Sequence, residues 1–214
     1  MVNSLDFKRE FLKKFNTKVE CIYNPFDKSS VLKRLGQKKN NNIFKKKKLK
    51  IISVGRLTDQ KDHITLIKSV KLINKKINPD IKIIGKGINF LFLKEYIYKN
   101  NLNNLVELVG YKHEPYNYIK KADILILTSK YEGLPNILLE GQFLKKYIIS
   151  TNCPTGPKEI LMNGRAGDLF KVGDFKKLAR LINDYPYKLK SISKKIKYGS
   201  KNFFRFDYKI NCKK

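Results

Sequence analysis

The sequence predicts an α/β domain built on a doubly wound parallel sheet. Three observations lead there. Short apolar runs rich in β-branched residues recur along the chain, each suited to a strand buried on both faces. Amphipathic stretches of helical period separate most of them. The runs often close on Gly, Ser or Thr.

The runs come in order as VECIY (19–23), LKIISVG (49–55), IKIIG (81–85), LVELVG (105–110), ADILILT (122–128), YIIST (147–151) and GDLFKV (167–172). Between them DHITLIKSVKLINKK, NFLFLKEYIYKN, NILLEGQFLKK and DFKKLARLIND read as helices. Residues 28–48 are polar, with KKNNN and KKKK, and read as a surface excursion. No internal repeat is visible. The expected organisation is an N-terminal joining segment over 1–18, one α/β domain over 19–186, and a basic helical tail over 187–214.

With 214 residues and 42% hydrophobic content, the chain can bury one substantial core. No run approaches the roughly 20 apolar residues of a membrane span. The opening MVNSLDFKREF lacks the apolar region of a secretory signal. Cys21, Cys153 and Cys212 are few, odd in number and far apart, which suggests neither a disulfide framework nor a zinc site. A reducing cytoplasm is the simplest compartment. The formal charge of +29 invites a nucleic-acid reading. Six of the 47 basic residues are Arg and the rest Lys, and Asn and Ile are also abundant, as in the product of an AT-rich genome. Arg is the better side chain for bidentate phosphate and base contacts, so nucleic acid is discounted. A lysine-rich surface is also drawn to anionic lipid, by about 1 kcal/mol per residue.

In doubly wound sheets ligands bind beyond the carboxyl ends of the strands, so the following loops matter most. After the second run, Gly55 permits a tight turn. Arg56 and Lys61 then stand near a helix start, with Thr58 or Asp59 as N-cap. Two cations there suit a diphosphate, or form a solvated loop of a basic chain. Gly85 and Gly87 make Gly-x-Gly, which lets backbone approach a ligand or simply makes a strand-to-helix turn. The third glycine of a nicotinamide fingerprint is absent. Tyr111 follows the next run, placed to meet a flat base or to roof the core. Then come Glu132, Gly133, Leu134, Pro135 and Asn136, with Glu140 one helical turn later. Pro135 suits the first turn of a helix. Free N–H groups around 133–136 would face an anion, and the carboxylates would accept hydrogen bonds from vicinal hydroxyls. The competing reading is an ordinary exposed pair of glutamates. In NCPTGPKEIL two prolines and a glycine fix a rigid loop, with Glu159 opening a short helix. His63 is expected to cap a helix or face solvent, and neither it nor His113 is assigned catalysis. No metal signature appears.

VGRLTDQKDHITLIKSV, IIGKG, LVGYKHEPYNYIKKADILILTSKYEGLPNILLEG and STNCPTGPKEIL occur in that order. Together they resemble the C-terminal, donor-binding domain of GT-B glycosyltransferases of family 4, the "glycosyl transferases group 1" type, from about Val19 to Asp184. The resemblance implies a Rossmann-like sheet, the C-terminal half of a GT-B fold. It makes Glu132 and Glu140 the E-x7-E pair, Glu132 beside the reacting carbon of the donor hexose and Glu140 on the ribose hydroxyls. Arg56 and Lys61 would bind the donor diphosphate and steady the leaving nucleotide. Backbone at Gly133, Leu134, Pro135 and Asn136 would hold sugar or phosphate, Tyr111 would meet the base, and Gly55, Gly85 and Gly87 would line the donor site. The family usually retains anomeric configuration and needs no tightly bound metal or cofactor. CPTGPKEIL resembles enzymes of polysaccharide, lipopolysaccharide or lipid-linked oligosaccharide assembly that use UDP-sugars. The implied partners are a nucleotide-sugar donor supplying a hexosyl or N-acetylhexosaminyl group and a glycan or lipid-linked acceptor; the lysine-rich composition adds an anionic membrane surface. The implied location is cytoplasmic, peripheral on the inner face of the membrane.

One departure stands out. The family places an acceptor domain first, and this chain starts almost at the second domain. Three readings are open: a fragment, a half that works with a separate N-terminal acceptor domain, or a decayed gene product. The alternative function is a nucleotide-sugar-binding module without activity alone.

Overall fold

The computed structural model describes residues 1–35 and 43–211. Two helices come first, α1 (Leu5–Phe15) and α2 (Lys28–Leu35). The first half of the sheet follows as β1 (Leu49–Val54), α3 (His63–Val70), β2 (Pro79–Ile84), α4 (Phe90–Lys99) and β3 (Val106–Gly110). Next comes α5 (Tyr116–Lys121), and then β4 (Ile124–Leu127), α6 (Asn136–Phe143), β5 (Tyr147–Thr151), α7 (Pro157–Ile160) and β6 (Asp168–Phe170). The chain ends through α8 (Phe175–Asn183), α9 (Leu189–Lys201), a 3-10 turn over Phe203–Phe206 and α10 (Tyr208–Asn211). No helix among the described residues is long and apolar enough to cross a membrane.

The six strands form one parallel sheet in the order β3-β2-β1-β4-β5-β6. This is the doubly wound order, confirming the expected fold class. The strand sequences explain it. Successive side chains point to opposite faces. Ile51, Ile81, Ile83, Ile124, Ile126 and Ile149 therefore enter one core, and Ile52, Ile84, Leu125, Leu127 and Ile148 the other. Helices α3, α4 and α8 cover the first face, and α5, α6 and α7 the second. Helix α6 comes close to the sheet because position 141 is glycine. A Cβ there would stand 2.4 Å from Leu125 Cδ2. Lys82 interrupts the apolar pattern of β2 and is buried, but its ammonium is paired with Asp80 (3.3 Å) and Glu107 (2.5 Å).

Three expectations are corrected. VECIY is not a strand of the sheet; it makes one isolated bridge, Cys21 with Val2. Lys18 and Glu20 face solvent and Pro25 follows, so the run has neither a buried face nor room to extend. The helix expected from Asp62 to Lys76 ends at Val70. There Asn183 of α8 takes over, accepting from the Asn74 N–H (2.8 Å) and donating to the Leu72 carbonyl (3.1 Å). The polar excursion holds a helix, α2, before its KKNNN stretch, which lies outside the described residues apart from its neighbours. The basic helix expected from Tyr187 is present as α9.

Candidate functional site

Between β1 and β4 the winding of the sheet reverses. In sheets of this order ligands bind beyond the carboxyl ends of the strands at such a reversal. Glu140 stands within α6; the other candidate residues stand in loops or helix starts at this end of the sheet.

The β1 and β2 loops meet backbone to backbone. A Cβ on Gly85 would lie 1.9 Å from the Gly55 carbonyl oxygen, and one on Gly87 would lie 2.3 Å from that of Leu57. Leu57 N–H donates to the Lys86 carbonyl, and Asn89 N–H to that of Leu57, both at 3.0 Å. Gly-x-Gly thus has a visible packing duty, since any side chain would separate the loops.

The loops after β1 and β4 are joined by Lys61 and Glu132. Lys61 Nζ lies 2.6 Å from Glu132 Oε1, with the side chains 16% and 7% exposed. Ser129 Oγ donates to the same oxygen at 2.5 Å. Thr128 Oγ1 donates to the Lys61 carbonyl (2.9 Å), Lys130 N–H to the Gln60 carbonyl (2.8 Å), and Gln60 Nε2 to the Tyr131 carbonyl (3.0 Å). Arg56 remains exposed, its guanidinium held by Gln60 Oε1 at 3.2 Å. Truncating Lys61 would leave Glu132 half-supported in a dry place. We expect Lys61→Ala to cost about 3 kcal/mol, as removal of one partner of a buried pair does. Urea unfolding of Lys61→Ala, Glu132→Gln and the double variant should show the double costing clearly less than the sum.

His63 corrects a further expectation. It is buried rather than solvent-facing, with Nδ1 3.2 Å from Ser53 Oγ beneath the Gly55–Lys61 loop. Burial pushes its pKa down to about 4, so it is neutral at physiological pH.

The turn from Gly133 to Asn136 is held from two sides. Gly156, at φ +82°, packs so tightly that a Cβ would stand 2.0 Å from the Gly133 carbonyl oxygen. Thr155 Oγ1 donates to the Glu132 carbonyl. Asn24 Nδ2 donates to the Leu134 carbonyl (3.3 Å) and to Asn136 Oδ1 (3.1 Å). Leu134 and Pro135 are buried, and no side chain among the described residues caps α6; the Leu138 N–H turns to the Pro135 carbonyl (3.0 Å), leaving the N–H groups of Asn136 and Ile137 for an anion.

Glu140 lies on α6, apart from the Lys61–Glu132 pair. Burial pushes its pKa up to about 7, against the pull of the Arg34 guanidinium. Tyr111 is exposed after β3, with Lys86 Nζ 5.1 Å from its ring centre. Gln60, Ser129, Thr155 and Asn24 shape this site and carry no signal as single residues, while Gly156 is the glycine of the rigid loop. The sequence had flagged the loop holding Thr155 and Gly156 as rigid.

A parallel sheet of this order with basic and acidic residues at its switch point defines a doubly wound α/β unit with a candidate ligand site there. The model of the family "Glycosyl transferases group 1" matches residues 36–201, and the chain belongs to that family. It is 31% identical over 173 residues to the N-acetylgalactosamine-N,N'-diacetylbacillosaminyl-diphospho-undecaprenol 4-alpha-N-acetylgalactosaminyltransferase of Campylobacter jejuni, covering 78% of this chain and 45% of that protein. An uncharacterized glycosyltransferase of Methanocaldococcus jannaschii is 40% identical over 126 residues, 58% of this chain and 31% of that one. The chain therefore spans less than half the length of these relatives. Among solved structures, HepE of Anabaena in complex with UDP superposes with a TM-score of 0.79 at 20% identity, covering 99% of this chain and 61% of that one. The fold is one Rossmann-like unit of the GT-B architecture of such glycosyltransferases.

Proposed function

We propose that the chain is the C-terminal, donor-binding half of a retaining glycosyltransferase. It moves a hexosyl or N-acetylhexosaminyl group from a UDP-sugar to a glycan or lipid-linked acceptor in polysaccharide or lipopolysaccharide assembly. The observation that carries this reading is the Lys61–Glu132 pair at the switch point, beside the uncapped start of α6 and the exposed Arg56.

Each residue then has a task. Arg56, Lys61 and the first N–H groups of α6 take the donor diphosphate. As the bond from the sugar C1 to the β-phosphate oxygen breaks, the electron pair stays with that oxygen, and the two cations offset its charge. Glu132, fixed by Lys61 and Ser129, stands beside the sugar. Glu140 accepts hydrogen bonds from the ribose hydroxyls, and Tyr111 stacks on the base. The acceptor oxygen, supplied from outside this unit, bonds to C1 in place of the phosphate oxygen, and its proton passes to that departing oxygen.

A second reading is a nucleotide-sugar-binding module that transfers nothing on its own. Calorimetric titration with UDP, UDP-sugars and GDP-sugars tests both. Saturable UDP binding that Arg56→Ala and Glu140→Ala each weaken about tenfold supports the donor site. A folded chain that binds no nucleotide sugar refutes it. A peripheral place on the inner face of the cytoplasmic membrane is supported by α9, which carries lysines and no acid.

A further inference from the structure

Beyond the Gly133 turn lies a second polar cavity of about 300 Å³, between α1, α7 and the 3-10 turn Phe203–Phe206. Its wall carries Arg9, Lys158, Arg165 and Arg205 against Asp6 and Glu159, a net of two positive charges. Both acids are engaged. Glu159 accepts from the N–H groups of Leu5 (2.9 Å) and Asp6 (3.4 Å) and from the Tyr23 hydroxyl. Asp6 is paired with Arg9 at 3.3 Å.

Lys158, Arg165 and Arg205 take part in no ion pair among the described residues. Two of the guanidinium groups are nevertheless held in place. Arg165 lies over the Tyr198 ring at 4.2 Å. Arg205 lies over Phe206 at 4.8 Å and donates Nε–H to the Asn202 carbonyl at 3.2 Å. Ring contact and one bond fix these planes while leaving the terminal N–H groups for an anion. Composition does not explain the cluster. The chain carries six arginines among 47 basic residues, and three of the six stand here.

We propose that this cavity binds a phosphate or diphosphate group, the anionic end of the acceptor that the transfer site serves. Its position fits. The backbone of Gly156 touches Gly133, and α7, which brings Lys158 and Glu159 to the cavity, starts at the next residue. Planar forks in fixed orientation suit phosphate oxygens, and the net two positive charges of the wall favour a multiply charged phosphate or diphosphate over a single carboxylate. The assignment of the anion to an acceptor rests on the donor-site reading above; the anion site itself does not.

The test is calorimetric titration of the full chain with inorganic diphosphate in the presence of saturating UDP, and with UDP alone. The variant is Arg165→Gln with Arg205→Gln. The expected result is diphosphate binding at least tenfold weaker, with UDP affinity within about twofold and an unchanged melting temperature. Diphosphate binding that ignores the double change overturns the proposal. So does loss of UDP and diphosphate binding together at an unchanged melting temperature. Failure of the wild type to bind UDP, with diphosphate binding still lost in the variant, overturns the donor reading and leaves the anion site standing. If the double variant does not fold, Lys158→Gln with Arg165→Lys replaces it, with the same outcomes. Sedimentation with phosphatidylglycerol vesicles, against phosphatidylcholine vesicles, distinguishes the source. Retention that the variant loses assigns a lipid phosphate, and retention it keeps assigns a free diphosphate to the cavity.

Discussion

Glu140→Gln is expected to stabilise the unliganded chain by about 3 kcal/mol at pH 8 and to weaken nucleotide binding at the same time. The Glu140 carboxyl is largely buried on α6, which pushes its pKa from the ordinary 4.5 to about 7. Between those values the folded chain holds a proton that the unfolded chain has released. Stability contributed by this group therefore falls as pH rises through the window, and above it the fold carries a buried carboxylate. A glutamine amide cannot ionise, so the gap between variant and wild type opens from near zero at pH 4.5 to its full size above pH 7. His63 slopes the other way. Its folded pKa, about 4, lies below the ordinary 6.5, so its contribution rises with pH across that range. Both proteins share that slope, and their difference isolates Glu140. Urea unfolding at pH 5 and pH 8 makes the measurement, and an equal gap at both would sink the prediction. For the proposed ribose contact, hydrogen bonds to a charged acceptor contribute about 1.5–3 kcal/mol each, so UDP should bind the variant roughly ten- to a hundred-fold more weakly. Undiminished UDP binding would remove Glu140 from the nucleotide site and leave the stability argument intact.

Gly156→Ala should be among the most damaging single methyls in the candidate site, alongside changes at Gly85 and Gly87. The residue sits at φ +82°, where a Cβ costs about 1–2 kcal/mol in backbone strain alone. That Cβ would also lie 2.0 Å from the Gly133 carbonyl oxygen and 2.7 Å from Pro135 Cδ, so the turn ahead of α6 must move. Gly173 is the control: φ is +76° and nothing stands within 4 Å. Gly173→Ala should cost the strain alone, whereas Gly156→Ala should cost at least about twice as much and loosen UDP binding. Thermal unfolding of the two variants side by side is the measurement. Equal losses would mean that the turn yields without cost.

The strands were legible because a strand covered on both faces must be apolar at nearly every position, a local signal that survives any context. Six such runs found neighbours. VECIY has the same composition and found none, because pairing is a property of the whole chain. The end of α3 was illegible for the same reason: Asn183, more than a hundred residues away, terminates it. α1 did have a signal, since Ser4 precedes it and caps the Phe7 N–H at 3.1 Å. His63 was readable too. It stands three, four and seven residues before Leu66, Ile67 and Val70, on the buried face of α3. In the site, Lys61 and Glu132 could be named from sequence. Their pairing could not, because 71 residues separate them and the sheet order alone joins their loops. Gln60, Ser129 and Thr155 are small polar residues in a polar chain, and only geometry singles them out.

The bonds that cross between loops have a kinetic consequence. Loop amides ordinarily exchange their hydrogens with water quickly, while strand amides wait for a larger opening. Here the amides of Gly55, Leu57, Asn89 and Lys130 are each donated to a carbonyl on another strand or loop. Their release needs the loops to part. In deuterium these four should exchange on the timescale of β1 rather than that of the surface. The bed of the site then belongs dynamically to the sheet, with Arg56 exposed above it.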